Sequence, residues 1–374
     1  MKKILFGIAS LFMFAACQTK VNNAGLNPDN FKDNPDGRAT ALYTLKNANG
    51  MEVAVTNFGG RIVSILVPDR DGVMRDVVLG FDNIRDYETI PTDFGACIGR
   101  YANRINEGQI TLNGKHYQLL TNNYGHTLHG GPTGWQYQVY EAEQTGNNVL
   151  RVTIVSPDGD NGFPGKVNAE CIYTLHDDNS LEMQYSATSD APTIINMTNH
   201  SYFNLHGDGN KDILDHLLWL NSRQMTPVDS TFMTTGEIAT IAPGTPFDFF
   251  AQAKPIGQDI ETEDIQLLNG HGYDHNWVLE PCEQETRLAA TLYCPESGIK
   301  LSVFTTEPGI QVYTGNFLDG TVTGKRGEVY GHRHAVCLET QKYPDTPNKP
   351  EWPSATLRPG EVYSSKTIFS FSCE

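Results

Sequence analysis

Cysteine is scarce in this chain, and its spacing gives no support to a thiolate metal centre. There are seven cysteines among 374 residues, and no two of them form a Cys-x-x-Cys motif. Six follow the first one, Cys17, and a chain of this length is not a small disulfide scaffold, although an exported protein could pair them. Because Cys171 and Cys337 stand inside apolar runs, we predict that both are buried free thiols.

Positive charge is also in short supply. Lysine and arginine total 27 against 44 aspartates and glutamates, which gives a formal net charge of −17, and no basic run interrupts the acidic excess. A nucleic-acid-binding surface needs clustered Lys and Arg to neutralise phosphates. The composition therefore argues against nucleic acid as a partner, and we interpret the acidity as a contribution to solubility.

Sustained helical periodicity is missing. Segments 84–87 and 264–268 would each form only a turn or two, and strands do not alternate regularly with helices. Short alternating or β-branched runs are present instead, with turn pairs such as Asn49-Gly50 between them. The runs are 52–56, 61–67, 76–79, 109–112, 149–155, 167–175, 181–188, 276–279, 287–293, 299–304, 310–313, 335–339 and 367–372. The pattern predicts an all-β protein, a large antiparallel sandwich with few short helices, forming one domain over 38–374.

The first residues are a targeting segment rather than part of this domain. Two lysines precede an apolar run over residues 4–16, which is too short to span a bilayer as a permanent helix. The run ends in small residues before Cys17, as in a bacterial lipoprotein cleavage site; ordinary signal cleavage with an incidental cysteine is the alternative. We therefore expect a signal peptide over 1–16 and a flexible tether over 17–37 that begins with a lipidated Cys17. This lipid alone would hold the exported protein to a membrane, on its periplasmic or cell-surface side.

A dense polar cluster lies in the middle of this strand-rich sequence. Residues 196–205, Asn-Met-Thr-Asn-His-Ser-Tyr-Phe-Asn-Leu, follow a β-branched run that would deliver them to the surface of a sheet. His200 can gain and lose a proton near neutral pH, and the neighbouring Asn and Ser side chains suit a polyhydroxylated ligand. A buried histidine satisfied by these amides is the alternative, so the cluster alone predicts a polar site without defining its ligand.

Polar residues that could converge on one site also occur in five other loops. They are Asn103 and Arg104, His129 before two glycines, Asp274, Gln311 and Glu339. Taken singly, each has an ordinary structural explanation, such as a surface cation, a turn-forming aspartate or a charge at a strand end. They become specific only if something connects them.

Together these segments resemble the aldose 1-epimerase (mutarotase) family. The matching segments keep one order from about residue 40 to the C-terminus: 99–105, 128–131, 156–165, 196–205, 272–276, 309–320 and 337–345. The resemblance implies a β-supersandwich fold, no metal, no organic cofactor and interconversion of the α and β anomers of a free aldose such as galactose or glucose. A free aldohexose or aldopentose is then the expected partner, and we expect a monomer.

The resemblance also implies roles for individual residues. Glu339 matches the general base of the family and His200 its general acid. The substrate-binding positions match Arg104, His129 and Asp274, with Asn103 and Gln311 as supporting contacts. The main departure is Val139-Tyr140, where relatives often have a tryptophan, so one wall of the site and the sugar preference are expected to differ.

Three alternatives stay open at this point. A glycoside hydrolase would use Glu339 and Asp274 as its two carboxylates. A sugar-binding lipoprotein without catalysis would use the same polar loops. A metal site would start from His332 and His334, which are two apart and hence on one face of a strand; it has the least support.

Overall fold

The computed structural model describes residues 21–207, 209 and 211–374, and the regular structure of this part is mainly β. The strands are β1 (Leu42–Lys46), β2 (Glu52–Thr56), β3 (Arg61–Pro68), β4 (Met74–Asp76), β5 (Ala96–Ile98), β6 (Arg104–Ile105), β7 (Gln109–Leu112), β8 (Lys115–Gln118), β9 (Thr127–Leu128), β10 (Glu141–Thr145), β11 (Val149–Ser156), β12 (Val167–Leu175), β13 (Ser180–Ser189), β14 (Thr193–Ile194), β15 (Thr198–His200), β16 (Tyr202–Phe203), β17 (Leu217–Leu220), β18 (Gln224–Thr226), β19 (Ala239–Thr240), β20 (Lys254–Pro255), β21 (Asp274–Val278), β22 (Arg287–Tyr293), β23 (Ile299–Thr305), β24 (Gly309–Tyr313), β25 (Val322–Thr323), β26 (Val329–Tyr330), β27 (Val336–Gln341), β28 (Thr356–Leu357) and β29 (Tyr363–Cys373).

Two short α-helices interrupt the strands, close to where the sequence predicts them. They are α1 (Ile84–Thr89) and α2 (Ile265–Gly270). Each begins after a side chain that accepts a backbone N–H of the first turn, Asn83 for α1 and Asp264 for α2. Within the described residues, no helix has the length and apolar character needed to cross a membrane.

Two large antiparallel sheets form the body of the fold. The nine-stranded sheet has the order β10-β11-β12-β13-β29-β23-β22-β17-β20, and the six-stranded sheet has the order β16-β27-β24-β21-β18-β19. A four-stranded meander, β1-β2-β3-β4, and short pairs such as β15-β5 and β6-β9 accompany them. The predicted all-β antiparallel sandwich with few short helices is confirmed.

The main hydrophobic core contains side chains from both large sheets. Phe369 of β29 belongs to the same buried cluster as Ile310 of β24 and Leu338 of β27. Because side chains alternate across a strand, the next residues along, Gln311 and Glu339, point to the opposite face of the six-stranded sheet. One face of this sheet is therefore committed to the core, and the other is free to carry polar chemistry.

The predicted flexible tether over 17–37 differs from the structure in the part that is described. Residues 21–37 dock on the domain, and Leu26 and Phe31 are buried in an apolar cluster with Phe58. The prediction followed the polar composition of the segment and is wrong from Leu26 onward, because burying two large apolar side chains is enough to fix a short segment. The predicted signal peptide and Cys17 lie outside the described residues.

The strands and cysteines agree with the sequence in most places. The strand predicted over 76–79 is misplaced, because β4 ends at Asp76 and Val78 forms only an isolated bridge with Phe203. Cys171 and Cys337 are buried and free, which confirms the prediction for both.

A buried arginine fastens loops beside β5. Arg100 is 2% exposed, and its guanidinium donates to the carbonyl oxygens of Pro164 and Gly165, both at 2.8 Å, and to the Ser156 hydroxyl at 2.6 Å. It also lies 5.5 Å from the centre of the Phe163 ring. Removing this side chain would leave buried carbonyl oxygens without donors, which is costly in free energy.

We therefore expect Arg100→Met to lower the free energy of unfolding by about 3–5 kcal/mol, as for other broken buried polar networks. Urea denaturation followed by fluorescence measures this loss. Arg85→Met is the matched control, because Arg85 is exposed and should change stability by no more than about 0.5 kcal/mol. Equal stability of the two variants would contradict the structural role of Arg100.

Candidate active site

A pocket of about 240 Å³ opens on the polar face of the six-stranded sheet. Pockets for drug-sized ligands occupy ~300–1,000 Å³, so this one suits a smaller ligand. It is lined by Asp93, Asn103, Arg104, Asn123, Tyr124, Leu128, His129, His200, Tyr202, Asp274, Tyr313, Phe317 and Glu339. The fold thus brings together six of the seven residues predicted for the pocket, all except Gln311.

Glu339 presents its carboxylate from β27. It is paired across the sheet with Gln311, and its Oε2 atom has no hydrogen-bond partner among the described residues. Burial raises the pKa of Glu339 well above its usual value, and the charges of Asp274 and Asp93 raise it further against the opposing charge of Arg104. Glu339 therefore holds a proton more strongly than an ordinary glutamate.

His200 faces Glu339 because of strand register. Tyr202 of β16 pairs with Cys337 of β27, and continuing this antiparallel register places residue 200 opposite residue 339. The His200 ring stacks on Tyr202 with 5.1 Å between ring centres, and its Nε2 lies 3.4 Å from Glu339 Oε1. Burial lowers the pKa of His200, and the negative charge of Asp93 opposes this shift.

The two pKa shifts have one cause. Burial disfavours the charged form of either group, so it raises the pKa of Glu339 and lowers the pKa of His200. Groups this close titrate as a pair, and the form of the pair that carries one proton has two arrangements. That proton lies either on the carboxyl group, which leaves both groups neutral, or on the imidazole, which gives an ion pair.

His129 is fixed as a hydrogen-bond donor to the pocket. The backbone N–H of Asn103 donates to His129 Nδ1 at 3.1 Å, so Nε2 carries the proton of the neutral ring. Burial, with the charges of His200 and Arg104, holds the pKa of His129 well below its usual value. The residue after His129 is Gly130, and only glycine fits there because a Cβ would lie 2.2 Å from the Gly99 carbonyl oxygen.

Arg104 brings the positive charge of the pocket. It lies on β6, and its guanidinium donates twice to Asn123 Oδ1, at 3.0 and 3.1 Å, and stands 4.9 Å from the centre of the Phe232 ring. These contacts hold one side of the guanidinium in place. Its charge acts on the carboxylates of Asp274 and Glu339.

Asp274 is held by a residue that lies behind it. Its Oδ1 accepts a hydrogen bond of 2.7 Å from Gln311 Nε2. Burial raises the pKa of Asp274, whereas Arg104 and the Gln311 hydrogen bond lower it. Gln311, predicted as a supporting contact, is absent from the pocket lining and orients Asp274 instead.

Seven lining residues are not among those predicted: Asp93, Asn123, Tyr124, Leu128, Tyr202, Tyr313 and Phe317. Strand alternation could have identified Tyr313, which follows Gln311 by two residues on β24 and so shares its face. Asp93, Asn123 and Tyr124 belong to loops, where the sequence has no period that predicts direction.

The wall change expected at Val139-Tyr140 is not found. Both side chains are buried in the apolar core, and the Tyr140 hydroxyl donates to the Cys97 carbonyl oxygen at 3.4 Å. Neither residue lines the pocket, so the expectation of an altered wall at these positions is wrong.

One cluster of metal-ligand-type atoms lies in the pocket. Atoms of Asp93, His129 and His200 all lie within 4.8 Å of one another. A neutral imidazole has one lone pair, and His129 uses it to accept the Asn103 N–H. The nitrogen that His129 turns to the pocket carries hydrogen, so the geometry favours a hydrogen-bonding site over a metal site.

Further clusters of metal-ligand-type atoms include His206, which directly follows residues 196–205 in the chain. His206 Nε2 lies 2.9 Å from Asp215 Oδ1, its Nδ1 lies 3.4 Å from Cys294 Sγ, and the Lys211 ammonium pairs with the Glu296 carboxylate. Hydrogen bonds and the protein's own ammonium account for these groups.

The metal alternative built on His332 and His334 does not fit the structure. These residues lie in a turn between β26 and β27, not on a strand, and His334 Nδ1 is 2.8 Å from the Gly209 carbonyl oxygen. The premise that they share one strand face is therefore wrong.

The fold and the site together define a β-sandwich protein with a small polar pocket in which a histidine and a glutamate lie 3.4 Å apart. Residues 41–370 match the sequence model of the family described as aldose 1-epimerase, and the chain belongs to this family. The resemblance seen in the sequence is thereby confirmed.

Similar proteins span nearly the whole chain. Mouse galactose mutarotase is 41% identical over 342 residues, which cover 91% of this chain and 97% of the mouse protein. Aldose 1-epimerase of Escherichia coli is 38% identical over 343 residues, with the same coverage of 91% and 97%. Among solved structures, a GalM/aldose epimerase homologue from Caenorhabditis elegans superposes with a TM-score of 0.82 at 31% identity, covering 90% of this chain and 99% of the other.

Proposed function

We propose that this protein interconverts the α and β anomers of free aldoses such as galactose or glucose, with Glu339 and His200 as its acid/base pair. The observation that carries the proposal is the 3.4 Å approach of His200 Nε2 to Glu339 Oε1 in a pocket of about 240 Å³. Relatives named galactose mutarotase and aldose 1-epimerase support this activity over glycoside hydrolysis or passive sugar binding.

The reaction opens the sugar ring and closes it again. The Glu339 carboxylate takes the proton of the anomeric hydroxyl while the His200 imidazolium gives a proton to the ring oxygen. The bond between the anomeric carbon and the ring oxygen breaks, and the electron pair from the hydroxyl forms the carbonyl. Rotation about the bond next to that carbon presents its other face, and the same two groups then return the protons and close the ring.

The state of the pair suits this chemistry. A site that holds one proton between Glu339 and His200 already contains the reactive form, carboxylate with imidazolium, as one of its two arrangements. Arg104 favours that form because its positive charge stabilises the Glu339 carboxylate. Substrate hydroxyls can satisfy Glu339 Oε2, which has no hydrogen-bond partner among the described residues.

The remaining polar groups would hold the sugar. His129 Nε2–H and the Arg104 guanidinium donate hydrogen bonds, whereas the Asp274 carboxylate accepts them. Asn103 offers a polar side chain at the same edge, although its Oδ1 already accepts the backbone N–H of Arg104 at 2.8 Å. Fixed donors and acceptors would position the anomeric carbon within reach of both His200 and Glu339, and such positioning is worth several powers of ten in rate.

We also propose that the protein is exported and held to a membrane by a lipid on Cys17. The apolar run before Cys17 and the small residues at its end support this assignment. The folded domain begins soon afterwards, since Ala24 is already buried. Position 24 is seven Cα–Cα steps after position 17, a reach of at most about 25 Å, so the domain would lie close to the bilayer.

Removing the base should strongly reduce turnover without unfolding the protein. We expect Glu339→Gln to reduce kcat by about 10²–10⁴-fold, because one proton-transfer group contributes about this much. His200→Asn should cause a loss of similar size. Polarimetry on fresh α-galactose and α-glucose measures the rates, and thermal unfolding verifies that each variant is folded. Substantial turnover in a folded Glu339→Gln protein would falsify the mechanism.

The wild-type rate should follow a bell-shaped pH profile. On the acid side the pair takes up a second proton and the base is lost; on the alkaline side it gives up its only proton and the acid is lost. Both limbs should disappear from any residual rate of the double variant Glu339→Gln, His200→Asn.

Removing the charge of Arg104 or of Asp274 should weaken sugar binding, and Arg104→Ala should also lower kcat because Arg104 stabilises the Glu339 carboxylate. A lost hydrogen bond to a charged group costs about 1.5–3 kcal/mol, so Arg104→Ala and Asp274→Asn should each raise KM by roughly tenfold or more. The matched control is Arg358→Ala, since the Arg358 side chain is 58% exposed and does not line the pocket. Wild-type kinetics of both pocket variants on several aldoses would show that the sugar binds elsewhere.

The lipid anchor is tested separately. Cys17→Ser should release the protein from the membrane fraction with its mutarotase activity intact, because Cys17 precedes the folded domain. Fractionation and mass spectrometry of the mature N-terminus measure this. An unmodified wild-type N-terminus together with unchanged membrane retention of Cys17→Ser would rule out lipidation.

A further inference from the structure

The pocket contains a third carboxylate that the proposed reaction has not used. Asp93 lines the pocket from the loop before β5, and its Oδ1 is buried with no hydrogen-bond partner among the described residues. One carboxylate oxygen lies within 4.8 Å of a ring nitrogen of both His129 and His200. A polar atom in this state needs either a ligand or a charged neighbour to compensate its burial.

The position of Asp93 is fixed by a buried arginine on β3. The Arg61 guanidinium is fully buried and donates to the carbonyl oxygens of Thr92, Phe94 and Gln136 at 3.0, 3.1 and 2.8 Å. Two of these acceptors flank Asp93 directly. The backbone that carries the carboxylate is thus clamped on both sides.

The same loop is bound to the strand that carries His200. The N–H of Gly95 donates to the His200 carbonyl oxygen at 3.0 Å, and the Asn199 side chain donates to the Gly95 carbonyl oxygen at 2.9 Å. A side chain cannot be accommodated at Gly95, because a Cβ would lie 1.8 Å from the Ile62 carbonyl oxygen. Asp93 and His200 therefore keep one relative position.

The charges around the acid/base pair are arranged asymmetrically. Besides Asp93, three side chains lie against His200: Glu339 from β27, the neutral His129 and the Tyr202 ring. The positive charge of Arg61 also acts on His200 and disfavours its protonated form. On Glu339, the positive charge of Arg104 favours the carboxylate, whereas the negative charges of Asp274 and Asp93 oppose it. Asp93 is thus the leading charge that acts on the imidazole, at a distance within 4.8 Å, and Arg104 is the positive charge that acts on the carboxylate.

We propose that Asp93 is a positioning residue for the general acid: its carboxylate holds the single proton of the His200–Glu339 pair on the imidazole. Asp93 exchanges no proton with the sugar. Together with Arg104, Asp93 favours the form of the pair with an imidazolium and a carboxylate. This is the form that can transfer the two protons needed to open the sugar ring. This role rests on the proposed function of the pair.

The test is Asp93→Asn, which keeps the shape of the side chain and removes its charge. Without the negative charge the pair loses its proton more easily, so the alkaline limb of the kcat profile should move to lower pH by about one unit. At the optimum, kcat should fall roughly tenfold, because one pKa unit is a factor of ten in the population of the reactive form. KM should stay within about threefold, since His129, Arg104 and Asp274 still hold the sugar. Asp93→Glu, which restores the charge, should return the limb towards its wild-type position, and Asp36→Asn, at a side chain 74% exposed, is the control.

The outcomes separate this inference from the proposed function. Inactive wild-type protein, or a fully active Glu339→Gln variant, overturns the function itself. If wild type is active and Glu339→Gln is not, an unmoved alkaline limb in folded Asp93→Asn overturns the role of Asp93 alone. A rise in KM with no change in kcat or in the pH profile also overturns it, because Asp93 would then be a sugar contact.

Discussion

The approach of His200 to Glu339 is the constraint on which the rest of the site depends. Two side chains from different strands must meet with 3.4 Å between Nε2 and Oε1, and both must be buried. Strand register achieves this, since the pairing of β16 with β27 continues to place residue 200 opposite residue 339. A slip of one residue would turn Glu339 into the apolar core and Leu338 into the pocket. The packing of the core is therefore what fixes the geometry of the acid/base pair.

Burial has a second consequence, because it strengthens the electrostatic interactions between the charges in the pocket. Three carboxyl groups, Glu339, Asp274 and Asp93, share the pocket with one guanidinium, Arg104. In water such charges would be screened, but in a buried site they act over several ångströms. The electrostatic effect on each group in the pocket consequently depends on the position of every charge, and not on the net charge of the pocket. The residues that hold these charges, Gln311 behind Asp274 and Arg61 behind the Asp93 loop, are as much a part of the site as its lining.

The sequence predicts the site residues that lie on strands better than those that lie in loops. His200 and Glu339 lie on strands whose apolar neighbours predict burial and direction, but their roles follow only from the family resemblance. Asp93 lies in a loop held by a cation about thirty positions earlier in the chain, and no local pattern reports such a contact. For the same reason the docking of Leu26 and Phe31 was missed. Their segment looks polar on average, yet two side chains find an apolar cluster formed by distant parts of the chain.

The opposite pKa shifts of Glu339 and His200 also explain why a buried site suits a reversible proton exchange. In water a glutamate at ~4.3 and a histidine at ~6.5 differ by about two units, so the proton would stay on the imidazole. Burial moves the two pKa values towards each other, which makes the two arrangements of the proton closer in energy. Ring opening transfers a proton from His200 through the sugar to Glu339, and ring closure returns it by the same route. Such a relay is fastest in both directions when neither end holds the proton too strongly. Arg104 favours the ion pair by stabilising the Glu339 carboxylate, and Asp93 favours it by stabilising the His200 imidazolium. Burial therefore brings the two arrangements closer in energy, and these two charges favour the reactive one.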